Sequence, residues 1–216
     1  MAIVQRPLRA DAARNRARLL EAAKAVFAER GLDATMDEVA RRAGVGVGTA
    51  YRRFRNRDDL IAALFEERLD EFMARLDEAL ADDDPWHGLS RFLECSMEMQ
   101  AEDRGFKELL LQSNEGRERV RLFRARIRPL VAELVRRAQE AGELRADVVE
   151  DDVLLVSLMI GAVNDFAHVV EPQLWRRSLA LLLDGLRAQG ASPLPVGPLD
   201  ADQADRAMAA MRPGRR

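Results

Sequence analysis

The stretch "RRAGVGVGTAYRRF", residues 41–54, decides the fold. It places Gly44, Gly46 and Gly48 within five positions and follows them with a tyrosine set among arginines. Glycine is a weak helix former, yet the sequence on both sides is helical. Upstream, in "ATMDEVARRAG", Thr35 is an N-cap and Glu38, three residues on, completes a capping box. Met36, Val39, Ala40 and Ala43 share one face, and Gly44 ends the segment. Downstream, a short helix over about 47–54 turns Ala50 and Phe54 inward. Two short helices joined by a tight glycine turn, with another helix before them, make a helix-turn-helix. Gly44 supplies the positive φ without a Cβ penalty, and Val45 plugs the angle between the helices. Gly48 and Ala50 leave the front of the second helix thin, so its backbone can come close to another surface while the arginines attract phosphate.

Such a helix enters the major groove of DNA with its N-terminal residues near base edges. Val47 and Thr49 suit those positions, through methyl contact and a hydroxyl hydrogen bond. Tyr51, Arg52, Arg53, Arg55 and Arg57 suit phosphates, as do the backbone N–H groups at the Thr35 helix start. An arginine-rich arm (Arg6, Arg9, Arg14, Arg16, Arg18) is placed to track the backbone or enter the minor groove. Blander readings exist: Tyr51 as core packing, the arginines as a solvated face, the glycines as a nucleotide phosphate cradle. The last fails on context, because "GVGVG" follows no strand. The charge distribution favours a polyanion partner for the head. Residues 1–57 hold 13 Arg and Lys against 6 Asp and Glu, whereas the rest of the chain is acidic.

The chain has 216 residues, 48% of them hydrophobic and 33% charged, enough for one large or two small domains. Its longest apolar run, residues 153–163, falls short of the roughly 20 residues a membrane span needs, so no membrane partner is expected. No signal peptide is evident, and the single Cys95 fits a reducing cytoplasm. His87 and His168 lack metal-ligand spacing to each other or to Cys95, and no nucleophile or paired-carboxylate motif is visible. Neither an enzyme nor a cofactor is implied.

Valines fall at helical spacing and strand alternation is absent, so the fold class is all-α. The pattern predicts helices over about 11–30, 35–43, 47–54, 57–81, 86–101, 106–111, 118–141, 148–168 and 172–188. Gly31 and Gly142 act as stops, Asp84 as a cap, Asp147 with Glu150 as a second capping box, and Pro129 as a kink. The organisation that follows is a DNA-binding domain over 9–57, a connecting helix and linker over 58–84, a helical C-terminal domain over 85–188, and a mobile Pro/Gly/Ala/Asp-rich tail over 189–216.

Residues 19–65, "LLEAAKAVFAERGLDATMDEVARRAGVGVGTAYRRFRNRDDLIAALF", resemble the DNA-binding domain of the TetR family of transcriptional regulators. Phe27, Gly31, Thr35, "VARRAGV", "GTAY", Phe54 and the basic residue at 57 before Leu60 carry the likeness. Gly46 departs from it, standing where the family often has serine, which weakens the helix cap. The resemblance implies an all-helical homodimer, usually a repressor released by a small ligand, and carries DNA contact onto Val47, Gly48, Thr49, Tyr51, Arg53 and Arg57.

The last two predicted helices are apolar around most of their circumference and so are buried on more than one face. One face suits the protomer's own core. The other suits a second copy, with Leu155, Met159, Trp175, Leu179, Leu182 and Leu183 as candidates for a four-helix dimer interface. Candidates for contact with a lipophilic effector are Phe92, Ser96, Met97, Phe106, Phe123, Asn164, Asp165 and His168, each of which core packing would also explain. The expected function is a ligand-responsive repressor that binds a pseudo-palindromic operator in double-stranded DNA. The alternative is a helical small-molecule-binding or interaction protein without sequence-specific DNA binding.

Overall fold

A computed structural model describes residues 5–30, 33–102 and 114–210 of the chain. Gly31, Phe106 and the helix expected at 106–111 lie outside the described residues. Among those described, the secondary structure is helical: α1 (Gln5–Arg30), α2 (Met36–Ala43), α3 (Val47–Arg53), α4 (Arg57–Leu80), α5 (Pro85–Glu102), α6 (Asn114–Glu140), α7 (Glu150–Ala167), α8 (Leu174–Leu186) and α9 (Ala201–Ala210). The chain is all-α, as the periodicity implies. The only extended pairing among these residues is a single bridge between Leu144 and Arg187.

Two units divide the chain, with the boundary inside α4 after Asp70. The first is built on α1–α3. Leu19, Leu20, Ala23, Val26 and Phe27 form the inner stripe of α1 and meet Met36, Val39, Ala40 and Ala43 of α2. Ala50, Phe54, Leu60 and Leu64 close this core. Phe27 is 1% exposed, a burial that stabilises the unit by about 1.5–3 kcal/mol. The helix after the recognition element is therefore more than a connector, because its first two turns complete the helix-turn-helix core.

The second unit takes the rest of α4 with α5, most of α6, and α7–α9. Its core joins Leu76, Leu89, Phe92, Leu93, Met97, Leu134, Val156, Ile160, Trp175 and Leu179. Phe72 is an aromatic hub, edge-on to Phe92 at 5.4 Å and to Phe123 at 5.1 Å. The Asp84 carboxylate accepts from the N–H groups of Trp86 and His87, both at 3.0 Å, and so starts α5. α6 continues through Pro129 without a break in the helix.

Two details differ from the sequence expectation. The cap at α7 is shifted: Asp152, not Glu150, accepts from the Val149 N–H at 2.9 Å. Asp147 is unavailable because Arg145 holds both its oxygens, at 2.6 and 2.9 Å. Within the expected tail, the residues Ala201–Ala210 form α9. Asp200 and Gln203 cap it reciprocally, at 2.8 and 2.9 Å. Ala204 is 2% exposed, and Asp205 stands 3.5 Å from Arg124 of α6.

Candidate nucleic-acid interface

The turn between α2 and α3 is a Schellman motif. The Val45 N–H donates to the Ala40 carbonyl and the Gly44 N–H to the Arg41 carbonyl, each at 3.1 Å. Gly44 has φ +63°, the left-handed conformation this motif requires. From α1, the Arg18 Nη2 donates to the Gly44 carbonyl at 3.3 Å. Arg18 thus pins the turn, a role invisible in a sequence where the two residues stand far apart. At the head of α2 the capping box is complete: the Glu38 N–H donates to Thr35 Oγ1 at 3.3 Å, and the Thr35 N–H donates to Glu38 Oε2 at 3.1 Å. That backbone hydrogen bond, helped by Arg30 and Arg41, holds the Glu38 carboxyl below the usual carboxylate range.

α3 has two contrasting faces. Ala50 is fully buried, whereas Val47 is 43% and Tyr51 46% exposed. One helical turn separates these two, and Gly48 lies between them with no heavy atom within 4 Å of where a Cβ would stand. Val47 and Tyr51 are thus part-exposed apolar groups on one face of a seven-residue helix. Gly46 provides no side-chain cap.

Arginines ring this face. Arg52 and Arg53 are exposed. Arg52 donates to the half-buried Thr49 Oγ1 at 3.0 Å, and the Arg53 guanidinium lies 5.9 Å from the Phe54 ring centroid. Arg57 is half-buried with its guanidinium over Phe27. Arg55 is engaged instead by Asp59 at 2.9 Å. This hydrogen bond lowers the Asp59 carboxyl and raises the guanidinium. Arg42 is likewise held by both carboxylate oxygens of Glu29, at 2.7 and 2.8 Å.

In the second unit the expected effector residues differ in exposure. Phe92 and Met97 are buried in the core, and Phe123 is half-buried against Phe72. Ser96 donates back to the Phe92 carbonyl at 2.7 Å. Asn164 is half-buried, Asp165 is exposed, and the half-buried His168 has its Nδ1 3.2 Å from the Asp165 carbonyl oxygen. Burial pushes the Asp151 carboxyl up against the pull of Arg128, which it meets at 2.6 Å.

The expected dimer residues also divide. Trp175 and Leu179 face the protomer's own core, Leu182 and Leu183 pack against it, and Leu155 is half-buried. Of the six, Met159 alone is exposed. The most exposed apolar side chains of this unit are Phe166, Val169, Val170 and Val196, and Leu122, Met159, Leu181 and Leu194 are exposed as well. Among the described residues, no group of His, Cys, Asp and Glu is arranged to hold a metal, and no helix is long and apolar enough to cross a membrane.

A helix-turn-helix with a thin, cation-ringed recognition helix, joined to a second all-helical unit, is the architecture of a DNA-binding transcriptional regulator rather than an enzyme. Residues 19–64 match the model of the bacterial regulatory proteins of the tetR family, and residues 84–188 match the C-terminal domain of SbtR-like transcriptional regulators. The chain belongs to the TetR family. A TetR transcription regulatory protein from Mycobacterium vanbaalenii shares 35% identity, with 84% of this chain and 99% of that one covered, at a TM-score of 0.65. The FadR regulator of Bacillus subtilis, solved in complex with stearoyl-CoA, shares the fold at 21% identity, with 78% and 98% covered and a TM-score of 0.63. An HTH-type transcriptional regulator of Staphylococcus aureus (strain USA300) is 29% identical over 55% of this chain. The match spans 63% of the length of that curated relative.

Proposed function

We propose that this protein is a ligand-responsive repressor that binds a pseudo-palindromic operator as a homodimer and is released by a small lipophilic effector. The observation that carries the DNA-binding half is the exposed Val47–Gly48–Tyr51 face of α3, with Ala50 of the same helix fully buried. Val47 and Thr49 meet base edges. Tyr51, Arg52, Arg53 and Arg57 meet phosphates, and Gly48 permits the approach. At the α2 end, Glu38 occupies the Thr35 N–H, so a phosphate is met by the next free N–H groups of the first turn.

The homodimer reading rests on Phe166, Val169 and Val170, 87%, 82% and 88% exposed within five positions of chain, with Met159 and Leu181 also exposed in the same unit. A patch this apolar calls for a partner, and a second copy presents the same patch about a two-fold axis. Two recognition helices about 34–36 Å apart then reach successive major grooves. The effector reading rests on the apolar interior of the second unit, where Phe72 meets Phe92 and Phe123 and Met97 lies in the same core as Phe92. The same fold holds stearoyl-CoA in the Bacillus subtilis protein. The ligand shifts the dimer between shapes only by binding them unequally.

The test is a salt-controlled fluorescence-anisotropy titration against the DNA upstream of the protein's own gene and against a random duplex. Tighter binding to the upstream DNA supports the reading. Equal, weak binding to both would leave a helical interaction protein as the better account.

A further inference from the structure

The recognition helix carries one side-chain hydrogen bond whose direction is fixed by chemistry. Arg52 Nη2 lies 3.0 Å from Thr49 Oγ1. A guanidinium has N–H groups and no acceptor, so the arginine donates and the threonine oxygen accepts. Among the described residues nothing takes the proton of Thr49 itself. Other helical hydroxyls of this chain behave differently: Ser96, Ser157 and Ser178 each donate to the carbonyl four residues back. The half-buried Thr49 thus keeps a free O–H, made a stronger donor by the cation on its oxygen.

The charge on Arg52 is equally uncommitted. Arg30, Arg42 and Arg55 are held by the carboxylates of Glu38, Glu29 and Asp59, whereas the polar partner of Arg52 is a neutral hydroxyl. Its side chain is drawn back one turn toward the start of α3, the end that meets base edges. A base facing Thr49 therefore meets a proton with a positive charge behind it. In the major groove guanine answers with two acceptors, O6 and N7, while cytosine presents the amino donor N4. Against cytosine the threonine proton has no acceptor, and the guanidinium repels the positively polarised amino group.

We infer that Arg52 is a positioning residue that sets sequence preference through Thr49. By donating to Oγ1 it fixes the hydroxyl as a donor, so that each half-site carries guanine and excludes cytosine at the base Thr49 meets. The inference rests on the DNA-binding reading of α3 above, and the remaining N–H groups of Arg52 stay free for a phosphate.

The test begins with selection by the full chain from a duplex library randomised over about two helical turns. Anisotropy titrations then compare duplexes that differ at single base pairs. In the wild type one position of each half-site should favour guanine over cytosine by about tenfold, the worth of one hydrogen bond. Thr49→Val keeps the shape without the hydroxyl and should bring that ratio within about twofold, leaving the other positions as they were. Arg52→Met should flatten the same position, because the released hydroxyl accepts as readily as it donates. Arg52→Lys keeps a donor and the charge and should restore most of the preference, and Thr49→Ser should retain it. A guanine preference at every position that survives Thr49→Val overturns the inference. So does uniform weakening by Arg52→Met with all preferences intact, which would leave Arg52 a phosphate contact alone, or a cytosine preference at the position that Thr49→Val flattens. Failure of the wild type to enrich any sequence overturns the operator-binding reading, and this inference with it.

Discussion

Gly48→Ala separates the needs of the fold from the needs of DNA binding, because the two predict effects of opposite sign. Gly48 sits in the first turn of α3 with ordinary negative φ, since Gly44, Gly142 and Gly190 are the glycines with positive values among the described residues. A Cβ there meets no heavy atom within 4 Å. Alanine therefore fits, and by restricting the unfolded chain it stabilises the protein by about 0.4–1 kcal/mol. For a chain of this size that raises the melting temperature by about 1–4 °C. Against DNA the same methyl stands between Val47 and Tyr51 on the contact face and holds the helix off the groove. A disturbed base contact costs about 1–3 kcal/mol at each half-site, roughly 5- to 140-fold in affinity per half-site. No charge changes, so the slope of log affinity against log salt should stay that of the wild type. Melting curves and anisotropy titrations at several salt concentrations measure all three quantities. Higher melting with operator affinity unchanged within about twofold would refute the assignment of this face to DNA, given that contacts of this kind are worth at least several-fold.

Arg53→Ala should weaken binding to all duplexes alike and lower the salt slope by about 2 per dimer, one phosphate contact being lost from each copy. An unchanged slope would remove Arg53 from the phosphate contacts. Thr35→Ala deletes the acceptor for the Glu38 N–H and should destabilise the first unit by about 1 kcal/mol in urea denaturation. Phe166→Ser combined with Val170→Ser should halve the sedimenting mass, and a mass that does not change would place the subunit contact elsewhere. Glu38 and Asp59 are both held below their ordinary values of 4.5 and 3.8. Each binds fewer protons folded than unfolded, so its contribution is present above those values and is lost as pH falls through the lowered ones. Denaturation of the wild type and Glu38→Gln between about pH 6 and 3 should show the variant losing less stability on acidification.

The helix-turn-helix was readable in one dimension because its determinants are local. Thr35 and Glu38 are three residues apart, Gly44 follows the last apolar position of α2, and the Schellman bonds span 40–45. α9 carried an equally local signal in Asp200 and Gln203, masked by the surrounding proline, glycine and alanine. At α7, by contrast, three carboxylates compete to cap within a few residues. Arg145 decides between them by taking Asp147, which sequence spacing alone does not reveal.

What the sequence determined by itself was the class of the protein: helical periods, caps, the left-handed glycine and the basic head. Each follows from residues within one or two turns of each other or from composition. What the tertiary structure decided was the direction of each side chain on helices apolar around most of their circumference. Trp175 and Leu179 turn into the protomer while Phe166 and Leu181 turn out, and Gln100 is set against Gly161 across 61 positions of chain. An all-round apolar helix has no preferred face in sequence. The face is chosen only when other helices pack against one side of it and exclude water there.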